Sequence, residues 1–126
     1  MEMYNCALRQ ALAKFTTFAV GVAFASVASA HVFPQHQEPG AGATVASPAK
    51  VRITFDGTLE PAFTTVTVTD SAGKQANTAK ATVDPQEPTV VSVALPTLVA
   101  GHYTVHWAAV AEDGHRTHGD YSFDVK

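Results

Sequence analysis

Sulfur is almost missing from this chain. Among 126 residues there are one cysteine and two methionines, at Cys6, Met1 and Met3. A single cysteine excludes an internal disulfide, a cysteine-based zinc ribbon and a thiol-pair redox motif. Charge is also sparse: Asp, Glu, Lys and Arg make up 15% of the chain, against roughly a quarter in an average domain. The 8 basic residues are outnumbered by 11 acidic ones, for a net charge of −3 with neutral histidine. No basic face of the kind that nucleic acids require is available. No serine sits in a nucleophile elbow, and no glycine-rich loop precedes a helix, so hydrolase and nucleotide-binding readings lack support. What the chain does have is abundant Ala, Val and Thr, which excludes disorder throughout, and six histidines.

The first 30 residues read as a targeting segment. Arg9 and Lys14 precede an uncharged run from Phe15 to Ala30 that ends in Ala28-Ser29-Ala30. A basic start, an apolar middle and a small-x-small end are what a signal peptidase reads. The run is shorter than the roughly 20 residues of a membrane span. Cleavage after Ala30 is therefore expected, with residues 1–30 as signal peptide and 31–126 as the mature domain. That domain has 96 residues, 6 basic and 10 acidic, a net charge of −4, all six histidines and no sulfur. No other stretch is apolar enough to cross a membrane, so the mature protein is expected not to be membrane-embedded.

The mature chain predicts an all-β sandwich. Residues 51–55 and 65–69 alternate strictly between apolar and polar. Val91, Val93 and Leu95 share one face of a third segment. Tyr103, Val105 and Trp107 share one face of a fourth, with Thr104 and His106 opposite. Tyr121, Phe123 and Val125 point inward from a fifth. Period-2 alternation with β-branched residues marks strands with one buried face. Turn residues separate them at 40–42, 70–73, 84–85, 100–101 and 113–114, spacing typical of sandwiches and small barrels. Residues 74–82 read as a loose edge or loop.

Chemistry then falls to histidines and acids. His102 and His106 lie four apart on one strand, roughly 13 Å along it, and cannot share a metal; they read as solvated strand residues. Asp113-Gly114-His115 ends the 101–111 strand, and in extended chain residues two apart project together. Alone, this triplet is equally a turn aspartate beside an exposed histidine. His31 changes the balance. As a mature N-terminus it offers both an α-amine and an imidazole to one ion, and an amine with a pKa near 7.7–8.0 gives up its proton readily. Amine, two imidazoles and a carboxylate make an N3O set, the coordination that Cu(II) prefers; the absence of Met and Cys argues against a soft Cu(I) site.

At this point the mature chain resembles the CopC family of periplasmic copper-resistance proteins. The resemblance rests on His31 directly after the signal and Pro39 with the Gly-Ala stretch to Ala43. It continues through Ser47-Pro48-Ala49-Lys50 leading into Val51–Phe55, Leu59-Glu60-Pro61-Ala62-Phe63 and Val66–Asp70. Ala100–Val105, Trp107, Asp113-Gly114-His115 and Gly119 complete it. It covers nearly all of 31–126. It implies a seven-stranded Greek-key β-sandwich, cupredoxin-like or Ig-like. It also implies a periplasmic copper buffer or carrier that is not an enzyme, with Cu(II) held by His31, Asp113 and His115. A copper-transport membrane protein or another copper carrier would be its partner. Some family members add a glutamate ligand at the position of Gly57; here the nearest carboxylate is Asp56, which should face the other way. His36 and His118 stand where small polar residues are usual. Two rival readings remain: a small copper monooxygenase built on an N-terminal histidine, and a metal-free accessory sandwich.

Overall fold

A computed structural model describes residues 31–126; residues 1–30, for which a signal peptide is expected, lie outside the described residues. Eight strands appear in order: β1 (Pro34–Glu38), β2 (Thr44–Val45), β3 (Lys50–Phe55), β4 (Thr65–Asp70), β5 (Thr82–Val83), β6 (Val90–Ala94), β7 (Gly101–Val110) and β8 (Arg116–Val125). They form two four-stranded sheets, β1-β3-β6-β5 and β2-β8-β7-β4. The described residues contain no helix. The architecture is the expected all-β sandwich with eight strands rather than seven. Two of the eight, β2 and β5, are only two residues long.

The alternating segments build both inner faces. Val51, Ile53 and Phe55 point inward from β3, Val66 and Val68 from β4, and Val91 and Val93 from β6. Tyr103, Val105, Trp107 and Ala109 face them from β7, and Tyr121, Phe123 and Val125 from β8. Phe55 and Trp107 meet edge-on between the sheets with ring centroids 5.3 Å apart. Tyr103 and Phe123 stack at 5.7 Å within one sheet. Leu95 is only partly buried because β6 ends at Ala94. Loops add Val32, Leu59 and Leu98 to the core, which alternation does not reveal because none lies in a strand.

Residues 74–82 are more structured than a loose loop. Asn77 is buried, and its Oδ1 accepts a hydrogen bond from the Val68 amide at 2.9 Å. The Ala76 amide donates to the Val68 carbonyl at 2.7 Å. An otherwise open part of the β4 edge is thereby satisfied, as buried or edge backbone groups require.

The β7–β8 hairpin pairs ten residues on each strand, from Gly101 with Val125 to Val110 with Arg116. Gly119 faces Trp107 across it, and a Cβ at Gly119 would lie 2.7 Å from the indole. Glycine is thus required for the ring to lie flat against the neighbouring strand. Gly119→Ala should destabilise the fold by about 1–3 kcal/mol, the usual range for overpacking. Tyr121→Phe removes a buried hydroxyl that has no partner among the described residues, and should leave stability unchanged or raise it. Denaturant unfolding of the two variants checks both expectations.

Candidate metal centre

Strand β7 ends at Val110, and the chain turns back into β8 through residues 111–115. The Ala111 amide donates to the His115 carbonyl, and the Gly114 amide to the Ala111 carbonyl, each at 2.9 Å. Gly114 has φ +88°, the left-handed region that favours glycine. Asp113 Oδ1 accepts from the His115 amide at 3.0 Å, the side-chain-to-backbone bond by which aspartate stabilises turns. Asp113 Oδ2 lies 2.6 Å from His115 Nδ1. The two side chains do converge, but a tight turn rather than an extended strand brings them together.

The arm formed by residues 31–33 brings a third candidate group close. The His31 and His115 rings are 5.2 Å apart between centroids. Two imidazoles on one ion place their centroids roughly 4.5–6 Å apart, given metal–nitrogen bonds of about 2.0 Å. Donors at that distance on adjacent corners of a square are about 2.8 Å apart, close to the Asp113–His115 separation. These two separations are compatible with a shared N/O-ligated ion. Among the described residues, no three His, Cys, Asp or Glu side chains already surround a common point. A common ion at these three residues would need a side chain to move or a further donor. His31 and Asp113 line a groove of about 410 Å³ together with Asp56, Glu112 and Gly57. A larger groove of about 510 Å³ follows the β4 edge and contains no histidine.

Two residues that sequence reasoning did not assign to the site hold the arm. Asp56 Oδ1 accepts from the Phe33 amide at 2.8 Å, and the Asp56 amide donates to the Phe33 carbonyl at 3.0 Å. Asp56 does not face away as strand alternation suggested, because β3 stops at Phe55. The Thr117 hydroxyl donates to the Val32 carbonyl at 2.6 Å. A visible signal existed for each: Asp56-Gly57 is a turn pair, and Thr117 is a polar residue in the inward phase of Tyr121, Phe123 and Val125.

The other histidines lie elsewhere. His102 Nδ1 is 2.8 Å from Asp124 Oδ1, and His106 Nδ1 is 2.7 Å from Asp120 Oδ1. His106 Nε2 also meets the Thr69 hydroxyl at 2.9 Å. Both are exposed on the outer face of the second sheet, as expected, yet each has a cross-strand partner. His36 pairs with Glu38 at 2.9 Å. His118 is exposed on β8, opposite Ala108. Exposed apolar groups border the site: Phe33 is 52% exposed with its ring 6.3 Å from that of His31. Phe63 is 55% exposed, with the Arg116 guanidinium 6.0 Å above its ring.

Residues 35–126 match the CopC domain family. The chain is 36% identical over 121 residues to protein YobA of Escherichia coli K12, covering 94% of each chain. It is 32% identical to a copper resistance protein C of Escherichia coli, covering 85% of this chain and 89% of that one. The crystal structure of CopC from Methylosinus trichosporium OB3b superposes with a TM-score of 0.72 at 33% identity, covering 76% of this chain and 94% of that one. PcoC, described as a methionine-rich copper resistance protein of Escherichia coli, superposes with a TM-score of 0.68 at 30% identity, covering 77% and 100%.

The Asp113 carboxyl is held below its ordinary value of 3.8. The His115 backbone amide is the main cause, followed by the His115 side chain. The ionised form is favoured in the fold, so its contribution is present above the ordinary pKa and lost as pH falls through the lowered one. Exposure keeps this contribution small. In metal-free protein, the Asp113 carboxyl carbon should titrate below 3.8 by NMR. His115→Ala should raise that midpoint only partway, because the backbone donor remains.

Proposed function

Because the chain belongs to the CopC family, we propose that it is an exported Cu(II) carrier or buffer of the periplasm, matured by cleavage after Ala30, and not an enzyme. His31 binds copper through its amine and imidazole, Asp113 supplies an anionic oxygen, and His115 supplies the second imidazole. The observation that carries this reading is the approach of His31 to the Asp113–His115 turn, 5.2 Å between rings and 2.6 Å within the pair. Copper is cargo, received from or passed to a copper-transport membrane protein or another carrier. Residues 31–126 contain neither Met nor Cys, so the soft ligands that favour Cu(I) are missing.

Each donor has a distinct job. Only an N-terminal histidine offers a free amine and an imidazole to the same ion; an internal one offers an amide that holds its proton. Cleavage would therefore create the site as well as release the protein. Asp113 stays ionised to lower pH than an ordinary aspartate, so its charge offsets that of the metal across the working range. As pH falls, protons compete first for the nitrogen lone pairs, and copper leaves through loss of those donors.

The copper monooxygenase reading has one supporting observation, the exposed Phe33 beside His31. Ascorbate-driven oxidation of a polysaccharide would favour it over a carrier.

A Cu(II) competition titration tests the proposal. Protein beginning at His31 should bind one Cu(II) tightly. An extra residue before His31, or acetylation of its amine, should leave the fold intact and remove much of that affinity. His115→Ala should weaken binding far more than His102→Ala or His106→Ala. Tight one-to-one Cu(I) binding, or equal losses at His106 and His115, would overturn the assignment.

A further inference from the structure

We propose that Asp56 and Thr117 are positioning residues of the metal centre: they dock the N-terminal arm so that His31 meets the 113–115 turn before any ion arrives. This rests on the copper reading above and adds two residues that touch no metal in it.

An arm of three residues at the end of a chain has no reason to stay put. Fixing each residue's backbone costs on the order of 1–2 kcal/mol of conformational entropy, and chain ends fray unless tied down. Here the arm is tied at successive residues. The Val32 carbonyl accepts from Thr117 at 2.6 Å, while the Phe33 amide donates to Asp56 at 2.8 Å. The Phe33 carbonyl accepts from the Asp56 amide at 3.0 Å. The side chain of Val32 completes the anchor and is 4% exposed. A Cβ on Gly57 would stand 2.8 Å from Val32 Cγ1, so glycine at 57 makes the seat that Val32 fills. Any larger residue there, a glutamate included, would displace Val32 and the arm with it.

The consequence for affinity is arithmetic. If the binding-competent arm is populated only a fraction of the time, the apparent dissociation constant rises by the inverse of that fraction. Docking the arm in advance removes this penalty from the binding step. Asp56 follows the end of β3 in the first sheet and Thr117 lies on β8 in the second. The arm therefore bridges the two layers, and His31 is carried to the sandwich end where the β7–β8 turn lies.

The test uses protein beginning at His31 and two substitutions at each position. Asp56→Ala and Thr117→Val delete the acceptor and the donor. Asp56→Asn and Thr117→Ser keep them. The deleting variants should each weaken Cu(II) by roughly three- to tenfold in a competition titration, the fold-change expected from one lost hydrogen bond. The conservative variants should stay within about twofold of wild type. The Cu(II) electron paramagnetic resonance spectrum should be the same in all four, because no ligand is removed. In metal-free protein, amide exchange at Phe33 should be slow in wild type and in Asp56→Asn, and faster in Asp56→Ala. Thermal melts check that each variant folds.

If Asp56→Asn loses as much affinity as Asp56→Ala, or if either changes the spectrum, Asp56 acts by charge or ligation and the proposal fails. Unchanged affinity in both deleting variants also overturns it. If wild type binds no Cu(II), the functional reading fails by itself; Phe33 exchange still reports whether the arm is docked.

Discussion

The register of the β7–β8 hairpin is the constraint on which the rest depends. Ten consecutive pairs from Gly101–Val125 to Val110–Arg116 decide which residues meet at each point of the second sheet. A slip of one residue would turn every side chain to the other face. It would bury His102, His106, Asp120 and Asp124 and expose Tyr103, Trp107 and Phe123. The Gly119–Trp107 contact makes such a slip expensive, because only glycine admits the ring at that distance. The same register places Thr117 on the inner face, within reach of Val32, and fixes where the 111–115 turn leaves the sheet.

Strands with alternating composition were legible in the sequence, and those without it were not. β3, β4, β7 and β8 each put apolar residues at every second position over five or more residues, which is the signature of a half-buried strand. β1 reads Pro-Gln-His-Gln-Glu and has no apolar phase at all. It is held as a strand by backbone pairing with β3 alone, across an irregularity between Pro34 and His36. Two-residue strands such as β2 and β5 are too short to show any period. Val32, Leu59 and Leu98 enter the core from loops, where neighbours in space rather than in sequence decide burial.

The candidate site divides the same way. His31, Asp113 and His115 stand out in the sequence by donor type, and the fold brings them near one another. The reason Asp113 and His115 meet was misread. Alternation along a strand was assumed, whereas Gly114 at positive φ and a side-chain bond to the His115 amide fold them together. Asp56 and Thr117 were missed because their partners are backbone atoms of the arm. The turn pair Asp56-Gly57 and a threonine in the inward phase of β8 mark both residues as unusual, but which backbone atoms they hold shows only in three dimensions.

The bond from Thr117 to Val32 spans 85 positions of sequence, and that from Asp56 to Phe33 spans 23. Closing the longer of these loops costs more chain entropy than closing the shorter. The Thr117 bond is absent from any partly folded form that lacks β8, whereas the Asp56 bonds need only the end of β3. An ion held jointly by His31 and the 113–115 turn would bind the folded sandwich more tightly than the unfolded chain, which keeps only the donors of a single residue together. By mass action it would then draw the folding equilibrium toward the native state in proportion to its free concentration. A higher free concentration of such an ion would lower the fraction of molecules that is unfolded at any moment.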